Sequence, residues 1–210
     1  MLTVLHLSVI LGCIVCSALL FRQPEKLNEQ SKTLASLILM AVAFIAAAEV
    51  GQLTLTNSSQ DAQTMQRLLS NLATYISTPL MASLLFAASF GYHFSRRGWG
   101  RWVLALFAMF ELMRRMELGV SYSVVLGALT VAALVIAFVR FSSPSVRTAG
   151  LITAGCWGVS MLVAGPYPVW QGLQSEPLRL TSFAAGLIAF GIATGQVIRL
   201  QQAETKKEAD

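Results

Sequence analysis

Residues 180–200 read LTSFAAGLIAFGIATGQVIRL, a stretch with a single charged residue, Arg199. An α-helix needs about 20 apolar residues to cross a hydrocarbon core of about 30 Å. Six further apolar runs precede this one in the chain. The seven runs lie at residues 2–21, 33–54, 68–94, 102–120, 121–140, 147–165 and 180–200. The pattern predicts an all-α, polytopic membrane protein with seven transmembrane helices.

The composition supports one membrane domain and no separate soluble domain. Hydrophobic residues make up 55% of the 210 residues and charged residues only 12%, whereas a soluble domain carries about 25% charged residues. Seven helices fill most of the chain, so we predict a single domain at residues 1–200 and a short polar cytoplasmic tail at residues 201–210. We interpret the net charge of +5 as a signal of membrane orientation and not of nucleic-acid binding.

The basic residues predict the orientation of the helices. With the N-terminus outside and the C-terminus in the cytoplasm, eleven of the fifteen Lys and Arg residues fall on the cytoplasmic side. Such an excess of positive charge is typical of cytoplasmic loops. The eleven are Arg22, Lys26, Lys32, Arg96, Arg97, Arg101, Arg140, Arg147, Arg199, Lys206 and Lys207. The predicted location is a bacterial inner membrane.

The third apolar run carries a motif that is known from one family. Residues 73–81 read ATYISTPLM and residues 41–44 read AVAF, and Trp157 lies near the middle of the sixth run. These features resemble microbial rhodopsins, whose third helix often contains Thr-Thr-Pro-Leu or Ser-Thr-Pro-Met and lines the retinal pocket. The resemblance implies a ligand pocket among corresponding side chains. Its candidate residues are Tyr75, Thr78, Pro79, Trp157 and Phe190.

The chain departs from that family at the residues that bind retinal covalently. The family's third helix usually carries Arg-Tyr-x-Asp-Trp, but residues 70–74 read SNLAT. The seventh helix of the family carries the Schiff-base lysine, but residues 185–194 read AGLIAFGIAT. The counter-ion and the positive charge are therefore both missing. We expect no covalent cofactor, and the resemblance leaves non-covalent binding of retinal or another isoprenoid open.

Charged residues within the predicted helices form a second candidate site. Glu49 lies near the outer end of the second helix, and Glu111 is followed by Arg114, Arg115 and Glu117 in the fourth. Side chains three or four positions apart on a helix can pair, whereas an unpaired charge in a membrane costs several kcal/mol. The group is either an ion path or a structural ion-pair cluster. We expect Arg114 to pair with Glu111 or Glu117 inside the protein, and Arg115 to point elsewhere, to the outer headgroup region or a neighbouring subunit.

Few residues in the chain suggest catalysis or metal binding. His6 and His93 are predicted at opposite ends of the bundle, which argues against a shared metal ion. Cys13 and Cys16 have the spacing of a redox pair, but within a membrane helix we interpret them as small packing residues. No set of nucleophile, base and orienting residue is visible. The sequence therefore favours a non-enzymatic protein.

Three functions remain open at this point. The first is a rhodopsin-like sensor of an apolar ligand, or a scaffold for a membrane partner protein or a second copy. The second is an ion or proton conductor that uses the charged residues named above. The third, an enzyme acting on lipids, has the least support. In each case the surrounding partner is the lipid bilayer.

The sequence predicts that added retinal forms no Schiff base with this protein. All four lysines, Lys26, Lys32, Lys206 and Lys207, lie outside the seven apolar runs. We expect purified protein mixed with all-trans-retinal to give no red-shifted absorption band that borohydride reduces. A reducible band would contradict this interpretation and would require a lysine near a loop to reach into the bundle.

Overall fold

A computed structural model describes residues 2–22, 28–55, 59–92, 94–165 and 173–209, with only the backbone described at 204–209. These residues form helices and turns and contain no strand. They group into seven rods, two of which include a π-helical turn. The elements are α1 (Leu2–Phe21), α2 (Glu29–Thr54), α3 (Gln60–Leu72), the first π segment (Ala73–Ser77), α4 (Thr78–Ser89), α5 (Arg96–Arg115), α6 (Gly119–Arg140), α7 (Pro144–Gly158), the second π segment (Val159–Val163) and α8 (Glu176–Ala209).

Several helices begin earlier than the apolar runs predict, because polar residues cap them. The side chain of Asn28 accepts a hydrogen bond from the Ser31 N–H at 2.7 Å. Ser59 and Ser95 cap α3 and α5 in the same way. These bonds satisfy N–H groups that a helix leaves without an internal partner. A polar first turn is therefore helical although hydropathy alone does not include it.

Six of the seven rods are long and apolar enough to cross a membrane, among the residues that the structure describes. The prediction of an all-helical membrane protein is confirmed to this extent. The rod that differs is α5, in which charged residues border an apolar stretch at residues 102–110. The six candidate spans are Leu2–Phe21, Glu29–Thr54, Gln60–Ser89, Gly119–Arg140, Pro144–Val163 and Glu176–Ala203.

These six rods form a closed ring. The third rod consists of α3, the first π segment and α4. In order around the ring, α1 packs on α2, α2 on the third rod, the third rod on α6, α6 on α7, and α7 on α8, which returns to α1. The contact that closes the ring depends on small residues. A Cβ atom at Gly191 would lie 2.9 Å from the Cα of Cys16, and one at Gly12 would lie 3.1 Å from the carbonyl oxygen of Ala184. Helices in membranes associate closely where side chains are small.

The two cysteines of α1 belong to this same contact. Cys13 and Cys16 are buried, with 2% and 0% of their surface exposed, and both are free thiols. Cys16 faces Gly191 of α8. Their position supports the interpretation of this pair as packing residues.

Helix α5, which is the fourth helix predicted from the sequence, lies outside the ring and alongside the third rod. The indole N–H of Trp102 donates to the Ser83 hydroxyl at 3.0 Å. Further along α5, the ring of Phe110 stacks on that of Tyr75 with centroids 4.3 Å apart. From the first contact to the second, the residue number rises by eight on α5, from 102 to 110, and falls by eight on the third rod, from 83 to 75. The axis of α5 is therefore antiparallel to the third rod.

We predict that Gly191→Ala destabilises the protein while Gly100→Ala does not. The added methyl group at position 191 meets the backbone of α1, and overpacking of this kind costs about 1–3 kcal/mol. A Cβ atom at Gly100, on α5, meets no atom within 4 Å, so there the better helix propensity of alanine dominates. Thermal unfolding in detergent would compare the variants. Equal melting temperatures would show that the contact between α1 and α8 is not close.

Candidate functional site

A cavity of about 130 Å³ lies in the half of the bundle at which α1 begins and α2 ends. For scale, an apolar cavity of about 150 Å³ accepts benzene, and a water molecule takes about 30 Å³ of liquid volume. The lining combines apolar side chains with hydroxyl groups, one carboxylate and one guanidinium. The lining residues are Ile45, Glu49, Ala73, Thr74, Tyr75, Thr78, Ser123, Leu126, Gly127, Thr130, Ser160, Met161, Arg179 and Phe183.

Both π segments border this cavity. Thr74 and Tyr75 come from the first and Ser160 and Met161 from the second. A π turn widens a helix by one residue per turn, and such turns occur frequently at functional sites. Two of them at one cavity, on rods that are far apart in sequence, distinguish this region from the rest of the bundle.

Pro79 explains the first π segment. Proline has no N–H and its ring clashes with the carbonyl of the preceding turn, so the helix before it widens. The Thr78 N–H then bonds to the Ala73 carbonyl, five residues back. The Thr78 hydroxyl donates to the Thr74 carbonyl at 2.9 Å, which is the acceptor that the Thr78 N–H would reach in a regular α-helix. A side chain therefore compensates for the backbone bond that the π turn displaces.

One wall of the cavity is a chain of hydroxyl groups. The Ser123 hydroxyl donates to the Gly119 carbonyl at 2.8 Å. Its oxygen lies 2.7 Å from the Tyr75 hydroxyl. Because Ser123 has one proton and gives it to Gly119, Tyr75 is the donor in this second bond. The bond holds the Tyr75 ring between the cavity and the ring of Phe110 on α5.

Two ion pairs meet at the same end of the bundle. His6 Nδ1 lies 2.5 Å from Glu49 Oε2, and the two side chains are only 14% and 13% exposed. On α8, Arg179 Nε donates to Glu176 Oε2 at 3.0 Å. The cavity is bordered by one member of each pair, Glu49 and Arg179.

Sequence reasoning placed Glu49 correctly near a helix end but missed its partner. His6 and Glu49 are 43 residues apart, and no local spacing connects them. A signal was nevertheless present, because both residues were predicted at the outer ends of neighbouring antiparallel helices. A histidine and a carboxylate at equal depth on adjacent helices can pair.

The ligand pocket implied by the rhodopsin resemblance is divided in the structure. Tyr75 and Thr78 line the cavity, and Pro79 shapes the π segment beside it. Trp157 and Phe190 do not line it, since both are fully buried and their rings stack with centroids 5.4 Å apart. Trp157 also stacks on Phe183, which does line the cavity. These two aromatic residues form a packed layer that supports the site.

A close approach to α8 explains how Trp157 is enclosed. A Cβ atom at Gly186 would lie 2.3 Å from Trp157 Cδ1. Glycine at this position therefore lets the indole ring pack directly against the α8 backbone. The Nε1 atom of Trp157 is buried and has no hydrogen-bond partner among the described residues.

A layer of large apolar side chains lies beyond the cavity, with the buried hydroxyl groups of Thr153 and Thr194 in the same half of the bundle. Towards the end where α4 and α6 finish, the interior is filled by large side chains with at most 1% of their surface exposed. An unpaired ion in such surroundings loses its hydration without replacement. The side chains of this apolar layer are Leu80, Leu84, Leu134, Phe138 and Leu187.

The charged residues of α5 form an exposed cluster that is separate from Glu49. Arg114 donates to both oxygens of Glu111, at 2.8 and 2.9 Å, so the predicted partner is confirmed, whereas the expected position inside the protein is wrong because the pair lies at the surface. The expectation that Arg115 points elsewhere is wrong, because its Nε donates to Glu111 Oε1 at 3.0 Å. The two guanidinium groups share one carboxylate by bonding from the i+3 and i+4 positions. The arginine side chains are 61% and 74% exposed.

Glu117 does not join this cluster in the described part of the chain. It lies in the turn between α5 and α6 and has a φ of 60°. Its backbone N–H donates to the Arg114 carbonyl at 3.2 Å. This residue closes the turn, and the alternative pair of Arg114 with the Glu117 side chain is not formed.

No cluster of three or more His, Cys, Asp or Glu side chains could hold a metal ion among the described residues. His93 lies outside them. Comparisons with known proteins found no matching protein-family model, no matching curated protein and no matching solved structure. The resemblance to microbial rhodopsins therefore stays a prediction.

We predict that Glu49→Leu lowers the free energy of unfolding by about 1–3 kcal/mol, the usual cost of leaving a buried hydrogen-bonding group without its partner. His6→Leu should cost a similar amount in the natural protein and little in the Glu49→Leu background, since the pair is then already broken. Denaturant titration in detergent micelles would measure all three variants.

The matched control is Glu29→Leu, which breaks the exposed pair of Glu29 with Lys32. Exposed pairs contribute about 0–1 kcal/mol, so this variant should remain close to the natural protein. Additive losses for His6→Leu and Glu49→Leu would show that the two residues do not act as a pair.

Proposed function

We propose that this protein is a non-enzymatic, seven-helix integral membrane protein that binds a small amphipathic ligand in the cavity beside the two π segments. The observation that carries the proposal is the joint placement of both π segments, a chain of hydroxyl groups and two charged residues around one space. Ligand sites are commonly concave, largely apolar and equipped with a few polar groups that orient the ligand.

The seventh membrane crossing in this proposal is α5. Its contacts through Trp102 and Phe110 hold it alongside the third rod, which is itself a candidate span. A helix held parallel to a span cannot lie flat on the membrane surface. Arg101 and Arg114 are near the two ends of its apolar stretch, and arginine side chains at such positions extend to the interface.

The proposed orientation has the N-terminus outside. It rests on the eleven basic residues assigned to the cytoplasmic side by the sequence. The cavity, the His6–Glu49 pair and the Glu111 cluster then all lie on the outer side. Six candidate spans indicate a membrane-embedded protein, and the bacterial inner membrane stays a prediction.

The volume of the cavity supports a ligand about the size of one aromatic ring. Drug-sized ligands occupy sites of about 300–1,000 Å³, and the cavity here is about 130 Å³. Retinal or another long isoprenoid would need more space than this. The hydroxyl groups of Thr74 and Tyr75 favour a ligand that can form a hydrogen bond as well as contact apolar side chains.

The apolar layer supports binding over conduction. An ion or proton entering beside Glu49 would have to pass the side chains of Leu80, Leu134 and Phe138, none of which offers a polar group. The polar lining extends along α6 as far as Thr130 and ends there. The cavity lies on the Glu49 side of this layer, which favours a binding site over a conduction path.

Tyr75 connects the cavity to α5 at the surface of the bundle. Its hydroxyl is bonded to Ser123 at the cavity, and its ring stacks on Phe110 of α5. A ligand that displaces the tyrosine would also displace α5, which lies outside the ring of six spans. The exposed Glu111 cluster on that helix is the surface that we propose for a membrane partner protein or a second copy.

A cysteine introduced at Thr74 tests both the orientation and the site. Thr74 is exposed and lines the cavity, so Thr74→Cys should react with a membrane-impermeant maleimide added outside intact cells. Phenol at millimolar concentration should slow this labelling by occupying the cavity. Ser142→Cys, between α6 and α7, is the matched control and should react only after the membrane is permeabilised.

The two parts of this experiment fail separately. Labelling of Ser142→Cys but not Thr74→Cys from outside would reverse the orientation. Labelling of Thr74→Cys at the same rate with and without phenol would contradict the proposed site. The reaction of Ser142→Cys in permeabilised cells should be insensitive to phenol, which excludes a general effect on the reagent.

A further inference from the structure

A second cavity is a groove on the surface of the bundle, between α6 and α7. Its volume is about 510 Å³, and its lining consists only of Val, Leu, Ala and Gly residues. Val135 and Leu151 form opposite edges, with 37% and 39% of their surface exposed. This groove is separate from the ligand cavity and plays no part in the proposed function.

Two glycines of α7 make the space. A Cβ atom at Gly155 would meet no atom within 4 Å, and one at Gly158 would meet only Val131 of α6, at 3.7 Å. No described element of this chain covers the groove at these positions. A leucine at either position would occupy part of the volume.

An arginine continues the line of the groove at one end. Positions 147, 151, 155 and 158 lie on one face of α7, because residues are about 100° apart around a helix, and position 162 follows in the second π segment. Leu151, Gly155, Gly158 and Leu162 line the groove. Arg147 precedes Leu151 by one turn, or about 6 Å along the axis. The face therefore begins with a positive charge and continues as an apolar channel.

The guanidinium of Arg147 is positioned but not neutralised. Its Nη2 donates to the Phe141 carbonyl at 3.3 Å. No ion pair includes Arg147 among the described residues. Its neighbour Arg140 is placed differently, with its guanidinium carbon 3.9 Å from the centre of the Phe90 ring. Arg147 is thus the basic group that is available next to the groove.

We propose that this groove holds an acyl chain of an anionic phospholipid whose phosphate binds Arg147. The apolar lining extends from position 151 to 163, about 18 Å along the helix axis, which exceeds half of the hydrocarbon core of about 30 Å. One chain entering from the leaflet at Arg147 would follow it. The bound phosphate would supply the anionic partner that the guanidinium lacks among the described residues, and arginine binds phosphate through paired N–H groups.

A lipid fits this surface better than a helix of a second copy. An apolar helix in the groove would offer no acceptor near Arg147. A phospholipid joins an apolar chain and an anion in one molecule, in the order in which the α7 face presents their partners. Basic sites between membrane helices on the cytoplasmic side are suited to anionic headgroups, and Arg147 is assigned to that side.

The test is native mass spectrometry of the full chain, delipidated in detergent and titrated with dioleoyl phosphatidylglycerol or dioleoyl phosphatidylcholine. We expect one phosphatidylglycerol to bind with about tenfold preference, because it is a net anion, whereas the choline group of phosphatidylcholine offsets the charge of its phosphate. Arg147→Gln should remove this preference. Gly155→Leu should weaken binding of both lipids. Arg97→Gln and Leu129→Trp, an exposed arginine and an exposed α6 leucine that does not line the groove, should behave like the natural protein.

Each outcome decides the proposal. Equal retention of phosphatidylglycerol by the natural protein and Arg147→Gln would overturn the role of the arginine. A dimer in place of bound lipid, lost in Gly155→Leu, would assign the groove to a second copy instead. Helix content by circular dichroism would establish that Gly155→Leu folds, and Val135→Trp, which fills the groove from α6, provides a second variant.

Discussion

The structure depends on one constraint: a backbone N–H or C=O group in hydrocarbon must find its partner within the protein. Helices satisfy this requirement within a single segment, which explains why polar residues fall mainly at helix ends and turns. The first π segment shows how the same constraint permits irregularity. Pro79 removes a donor, the chain widens by a five-residue bond, and the Thr78 hydroxyl takes the carbonyl that would otherwise be left unbonded. The widened turn creates space for the cavity without exposing a polar backbone group.

The same need for a partner within the protein applies to charged side chains near the cavity. Glu49 is tolerated near the end of α2 because His6 binds it, and Arg179 because Glu176 does. Neither pair is buried deeply in the bundle, and both border a space large enough for water. The Glu111 cluster is exposed at the end of α5 and needs no such protection. The charged pairs that border the cavity therefore lie at one end of the bundle, and large apolar side chains fill much of the interior towards the other end.

The sequence predicted the helices well because hydropathy measures the property that membranes select. It predicted an all-helical chain and the run at residues 2–21 to the residue. Tyr75 and Thr78, which the family resemblance suggested as pocket residues, line the cavity. The sequence could not predict that α5 would lie outside a ring of six, since this depends on contacts such as Gly12 and Gly191 between the first and last rods. The second π segment, Val159–Val163, also had no sequence signal, because no proline lies within it. Pairs such as His6 with Glu49 arise from helix rotation, which hydropathy does not determine.

The length of α8 gives the bundle a mechanical property. It is one α-helix of 34 residues, or about 51 Å, and therefore extends well beyond a hydrocarbon core of about 30 Å. Arg179 near its first turn borders the cavity, and the polar residues from Gln201 onward continue the same helix to Ala209. No break in the described backbone separates the two ends. If the first turn of α8 tilts at the cavity, the whole helix tilts with it as a rigid rod. A tilt of a few degrees then displaces the far end by several ångströms.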